Sequence, residues 1–208
     1  MKALIVVDVQ YDFLPGGSLE VPGGDKILPV VNKMIDNFGF VVATKDWHPE
    51  DHGSFASNHE GKKPGEKIEL DGLEQILWPP HCIQGTPGAE FSDKLDTSQF
   101  KKVFVKGTNS RIDSYSGFYD NGHKKSTGLA EYLKENDVDE VYVVGLAGDV
   151  CVKFTALDAV REGFDTYLVL DGTKPVNVEA DDFEKALREM KEKGVVVVES
   201  KDILSEAK

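Results

Sequence analysis

The chain of 208 residues is short of cysteine, of positive charge and of long apolar runs. Cys82 and Cys151 are the only cysteines, too few for the disulfide framework that staples small secreted domains, and the count suits a reducing compartment. Lysine and arginine number 24 against 37 aspartates and glutamates, a formal net charge of -13. So acidic a chain has little with which to neutralise nucleic-acid phosphates or dock on an anionic membrane. No apolar segment is long enough to cross a bilayer. The N-terminal run from Ala3 to Val7 ends at Asp8, too early for a signal-peptide core, and no small-residue cleavage pattern follows. A cytoplasmic location is the expectation. Repeats, low-complexity tracts and linkers are missing too, and the length suits one α/β domain over residues 1–208.

What is present is a succession of short apolar runs, each the length of a buried strand: Lys2 to Val9, Phe40 to Lys45, Lys102 to Lys106, Glu140 to Val144, Thr166 to Leu170 and Val195 to Val198. Helical patterns fall between most of them. Asp25 is placed to cap a helix running to about Asn37, with Pro29 early enough to be tolerated. Ser126 is placed to cap Thr127 to Asn136. Further helices are expected from Cys151 to about Gly163 and from Glu179 to Lys193. Strands alternating with helices imply right-handed crossovers and a doubly wound parallel sheet of six strands with helices on both faces. From Pro49 to about Phe100 the periodicity vanishes, and a structureless stretch of that length inside a compact domain is usually functional.

The stretch Val141 to Val152 (VYVVGLAGDVCV) passes from an apolar strand through Gly145 into a helix with Cys151 in its first turn. With Asp149 as N-cap, the backbone N–H groups and the positive end of the helix dipole would face the thiol and favour its thiolate. The competing reading is a small buried hydrophobe, the fate of most free cysteines. Two more polar residues terminate parallel strands, Asp8 after the first and Lys106 after the third. Carboxyl ends of parallel strands share one side of the sheet, so carboxylate, ammonium and thiol can converge. In such a set Asp8 takes the thiol proton and Lys106 stabilises the anions.

Asp46-Trp47-His48 presents a carboxylate and an imidazole on one face of an extended segment, and His81, held by Pro79 and Pro80, is a natural third ligand. Two histidines and a carboxylate suit one divalent ion, with zinc, iron and manganese all admissible. His52 is a further ligand or a supporting group, His59 reads as surface, and His123 has no evident partner. Aromatic residues stand beside these groups: Phe13 beyond Asp8, Trp78 before His81 and Tyr115 beyond Lys106. An apolar cleft with few polar groups suits a small aromatic ligand.

Taken together, LIVVDVQYDF, TKDWHPEDHGSF, WPPHC, VKG, DSYSGF and GLAGDVCV run in order along almost the whole chain. In these motifs the sequence resembles the nicotinamidases of the isochorismatase-like cysteine hydrolase superfamily. The resemblance implies hydrolysis of nicotinamide to nicotinate and ammonia in NAD salvage, through a triad of Asp8, Lys106 and Cys151. It also implies a metal site of Asp46, His48 and His81 completed by water, zinc being the first choice. Phe13, Trp78 and Tyr115 would pack about the substrate, and the backbone N–H groups of Ala147 and Cys151 would form the oxyanion hole. A cis peptide between Leu146 and Ala147 and a strand order 3-2-1-4-5-6 are implied as well, and homo-oligomers are compatible with it. Isochorismatases proper lack the nucleophilic cysteine, so Cys151 argues against that branch. Two rivals remain: an amidase acting on another small amide such as an N-carbamoyl compound, and a metal- or ligand-binding module with Cys151 as a redox sensor.

Overall fold

The computed structural model describes residues 1–204. In chain order its strands are β1 (Lys2–Val7), β2 (Val41–Asp46), β3 (Lys67–Leu70), β4 (Leu73–Ile76), β5 (Phe100–Lys106), β6 (Glu140–Leu146), β7 (Asp165–Lys174) and β8 (Val196–Val198). The helices are α1 (Leu28–Asn37), α2 (Leu129–Glu135), α3 (Cys151–Arg161), α4 (Asp182–Glu192) and α5 (Ser200–Leu204).

β1 is the hub because it is apolar on both faces. Ala3, Ile5 and Val7 pack with α2, α3 and α4 through Leu129, Leu133, Val152, Ala156 and Met190. Leu4 and Val6 pack on the opposite side with Val31, Met34 and Ile35 of α1. A strand covered on both faces reads as a continuous hydrophobic run, which is how β1 and β6 appear in the sequence. The parallel sheet runs β5-β2-β1-β6-β7-β8. Counting only its own strands this is the expected order 3-2-1-4-5-6. The order reverses on either side of β1, so the crevice for a ligand opens at the carboxyl ends of β1, β2, β5 and β6. Among the described residues no helix is long and apolar enough to cross a membrane.

Four details depart from expectation. The long stretch after β2 is not structureless: β3 and β4 form an antiparallel hairpin closed by Asp71 and Gly72, with φ of 52° and 82°. Two successive residues at positive φ are what a tight hairpin turn requires. Asp25 makes no side-chain cap, since Gly24–Ile27 forms a short 3-10 turn that leads into α1. Ser126 lies ahead of α2 rather than at its cap, accepting from Gly128 N at 2.9 Å. α5 was not anticipated, and it is anchored where Ser200 donates from N and Oγ to Asp171.

Candidate active site

Each residue of the expected triad sits where a strand delivers it. Asp8 follows β1 with φ of 50° and is fully buried. Lys106 ends β5 directly opposite Asp46, the last residue of β2, so adjacent parallel strands aim both side chains into the crevice. Cys151 opens α3 after the turn from β6, and the peptide between Leu146 and Ala147 is cis. The Lys106 ammonium collects the site: Nζ is 2.5 Å from Asp46 Oδ1, 2.8 Å from Asp8 Oδ2, 3.0 Å from Ser114 O and 3.4 Å from Cys151 Sγ. Asp8 Oδ1 accepts from Thr44 Oγ1 at 2.6 Å. Asp8 Oδ2, although close to Nζ, accepts no well-aligned hydrogen bond, which leaves a buried lone pair free for a proton. Carboxylate oxygens of Asp8 and Asp46 and the thiol sulfur all lie within 4.8 Å of one another.

Electrostatics divides the two carboxylates. Burial drives the Asp8 carboxyl up and Asp46 adds to this, so despite Lys106 it settles at about 6. Burial opposes charge on Asp46 as well, but Lys106 and His48 outweigh it and hold the carboxyl well below the usual range. Two carboxylates around one ammonium cannot both be fully compensated, and the better-bonded one, Asp46, keeps its charge to much lower pH. Burial pushes the Cys151 thiol well up, Lys106 only partly offsetting it while Asp46, Asp8 and Asp113 add to the rise. Burial and the neighbouring carboxylates thus act against the thiolate that the position at the start of α3 would favour. Asp149 is not the N-cap either. Its two oxygens accept from Val176 N and Asn177 N, at 2.9 and 2.7 Å, and Val150 occupies the cap position.

Beside the triad, His48 Nε2 and His81 Nε2 approach the other oxygen of Asp46, Oδ2, at 3.6 and 3.8 Å. Each ring is held through Nδ1 by a backbone carbonyl, His48 by Gly107 O at 2.9 Å and His81 by Pro79 O at 2.8 Å. Those bonds fix the tautomer that leaves both Nε2 lone pairs free for a metal. Zinc bonds of about 2.0–2.1 Å in tetrahedral array put ligand atoms roughly 3.4 Å apart, so this donor set fits one ion with little movement. Gln10, which sequence reasoning passed over, clamps the backbone of Asp46, accepting from its N and donating to its O at 2.8 Å each. His52 packs against His48, ring centroids 4.4 Å apart, but is not in the donor group of Asp46, His48 and His81. Its Nδ1 is 2.7 Å from Ser54 Oγ, and its buried Nε2 has no hydrogen-bond partner. It groups instead with His48 and Asp113. His59 is half-buried, with Nε2 2.7 Å from Gly53 O. His123 does have partners, stacking on Tyr119 and meeting Arg161 and Asp158.

A cleft joins the two constellations. Phe13, Trp78 and Tyr115 line it together with Asp46, His48, His81, Ala147 and Cys151. Asp113 lines it too and was missed, because one aspartate in an aperiodic loop gives no pattern to read.

The isochorismatase domain model matches residues 2–202. The chain belongs to the isochorismatase family. Within that family it is 46% identical over 202 residues to the nicotinamidase of Acinetobacter baylyi, covering 97% of this chain and 94% of that one. The solved Acinetobacter baumanii nicotinamidase pyrazinamidease superposes with a TM-score of 0.95 at 48% identity, covering 97% of each chain. The pyrazinamidase of Pyrococcus horikoshii in complex with zinc gives 0.78 at 42% identity, covering 95% of this chain and 98% of that one. This member of the isochorismatase family is an amide hydrolase acting on a C–N bond outside peptides.

Proposed function

We propose that the chain is a nicotinamidase, hydrolysing nicotinamide to nicotinate and ammonia through a thioester on Cys151, in cytoplasmic NAD salvage. The observation that carries this reading is one cavity whose walls bear a thiol, a three-donor metal set and three aromatic rings. A planar heteroaromatic amide has a use for all three at once. Nicotinamidases are also what the similar proteins are named.

Asp8 accepts the Cys151 proton as Sγ attacks the carboxamide carbon. Lys106 stabilises the carboxylate before transfer and the sulfur as charge develops there. The N–H of Cys151, in the first turn of α3 where no intrahelical partner exists, and that of Ala147 hold the oxyanion. Asp8 then gives the proton to the departing ammonia, leaving the thioester. Water loses a proton to Asp8 as it attacks the acyl carbon, nicotinate leaves, and the proton returns to sulfur. Phe13, Trp78 and Tyr115 hold the ring between the two constellations. A divalent ion on Asp46, His48 and His81, zinc by choice and iron or manganese otherwise, would supply a Lewis acid for the ring nitrogen.

The test is ammonia release from nicotinamide before and after chelation and metal restoration. Release that chelation stops and metal restores is expected. Release that survives verified metal removal would keep the cysteine amidase and remove the ion from it. No release by metal-loaded protein would overturn the reading and direct the assay to N-carbamoyl amides.

A further inference from the structure

Gln75 lies on β4, far in sequence from the triad, yet it is only 2% exposed. Its Nε2 is 2.7 Å from Ile76 O, 3.0 Å from Asp113 Oδ2 and 3.0 Å from Tyr115 Oη. A main-chain carbonyl and a carboxylate only accept, so they settle which end of the amide faces them. The Trp78 indole N–H, which only donates, points at the same phenol oxygen from 3.3 Å. Gln75 Nε2 carries two hydrogens for its three acceptors, so the one toward Tyr115 Oη is shared with a neighbouring acceptor, and Trp78 Nε1 meets the phenol oxygen from the other side. The hydroxyl hydrogen is therefore not committed to a protein acceptor among the described residues, and Tyr115, which carries it, lines the cavity that also holds Cys151.

We propose that Gln75 is a positioning residue for substrate binding: from the β3–β4 hairpin it orients the Tyr115 phenol as a hydrogen-bond donor to an acceptor atom of a small planar amide. The proposal rests on the nicotinamidase reading and adds to it a determinant of KM. Burial, with Asp113 alongside, holds the phenol well above its ordinary value, so the group stays a donor throughout the working range. Trp78 and Tyr115 meet edge to face at 6.5 Å, so what fixes the phenol also fixes the aromatic wall. The hairpin, with its exposed Lys67, Glu69 and Glu74, thereby has one inward task, carried by Gln75.

The test compares Gln75→Met, Tyr115→Phe and the double variant with the metal-loaded wild type on nicotinamide. Methionine keeps the length of the side chain and removes the donors. Each single change is expected to raise KM roughly tenfold, the worth of one hydrogen bond, with kcat held within about twofold. The double variant should match Tyr115→Phe alone, because Gln75 acts through the phenol. An unchanged KM in Gln75→Met, an equal fall in kcat, or effects that multiply in the double variant would overturn the proposal. Should Gln75→Met fail to fold, Tyr115→Phe decides: an unchanged KM overturns the donor role. Absence of ammonia release by the wild type is a failure of the nicotinamidase reading instead. In that event quenching of tryptophan fluorescence by nicotinamide and nicotinate reads the same tenfold weakening, and no binding at all would sink this proposal as well.

Discussion

Lys106 Nζ stands 2.5 Å from Asp46 Oδ1 while Oδ2 of the same carboxylate faces His48 and His81. One ammonium therefore touches both halves of the site, since it also reaches Asp8 and Cys151. Its partners hold it charged: burial works against the ammonium, but Asp46, Asp8 and Cys151 together raise it well above the ordinary lysine value.

Replacing Lys106 by methionine should show this double duty. Two buried carboxylates would lose their common counter-ion, and breaking a buried ion pair on one side costs about 3–5 kcal/mol. Urea unfolding should register that loss near neutral pH, and metal affinity should change along with activity because Asp46 loses the bond on Oδ1. Wild-type stability in Lys106→Met would mean that the ammonium does not compensate these carboxylates.

The pH dependence follows from Asp8. In the proposed role of general base it works deprotonated, and its value of about 6 lies above the ordinary 3.8. The expected kcat/KM profile falls with unit slope on the acid side, with its midpoint near 6. The same shift affects stability with the opposite sense. The folded state binds this proton more tightly than the unfolded chain, so the contribution is complete below 3.8 and is lost as pH rises through about 6. A profile flat from pH 5 to 8 would remove Asp8 from the role of base.

Cys151→Ala separates chemistry from binding. With the sulfur gone no thioester can form, and turnover should fall by at least roughly 10⁴-fold, as when a nucleophile is removed elsewhere. The aromatic and metal-donor walls are untouched, so nicotinamide affinity measured by calorimetry should remain largely intact. Residual turnover near the wild-type rate would exclude the covalent route.

Much of this arrangement could be read from residue order, and what escaped did so for physical reasons. Asp8, Asp46 and Lys106 are legible because each ends an apolar run, and parallel strands put such ends on one side. Cys151 is legible as the first helical residue after β6. The hairpin escaped although Asp71-Gly72 is flanked by the alternating KIEL and LEQI, a hairpin pattern in itself. Its strands bury little besides Gln75, so hydrophobicity alone leaves it looking like loop. Gln10, Thr44 and Asp113 were illegible for another reason: a single buried polar residue has no period, and its partner comes from a distant segment. The misplaced cap at Asp149 has the same origin, because the donors that occupy its carboxylate belong to residues 176–177, beyond β7.

Gly107 provides a test of the metal donors that leaves every donor in place. It follows Lys106 at φ of +66°, and its carbonyl accepts from His48 Nδ1 at 2.9 Å. A Cβ built there would lie 2.3 Å from His48 Cε1 and 2.5 Å from Nδ1. The ring must then turn or the backbone must retreat, and either movement takes Nε2 away from Asp46 Oδ2. A positive φ on a residue with a side chain adds roughly 1–3 kcal/mol of strain. Gly107→Ala should therefore lower metal affinity by about 10–100-fold, the usual effect of disturbing the group behind a ligating histidine. Competition against a chelator measures this without reference to turnover. An affinity equal to that of the wild type would show that His48 need not be held by Gly107, and would weaken its assignment as a fixed ligand.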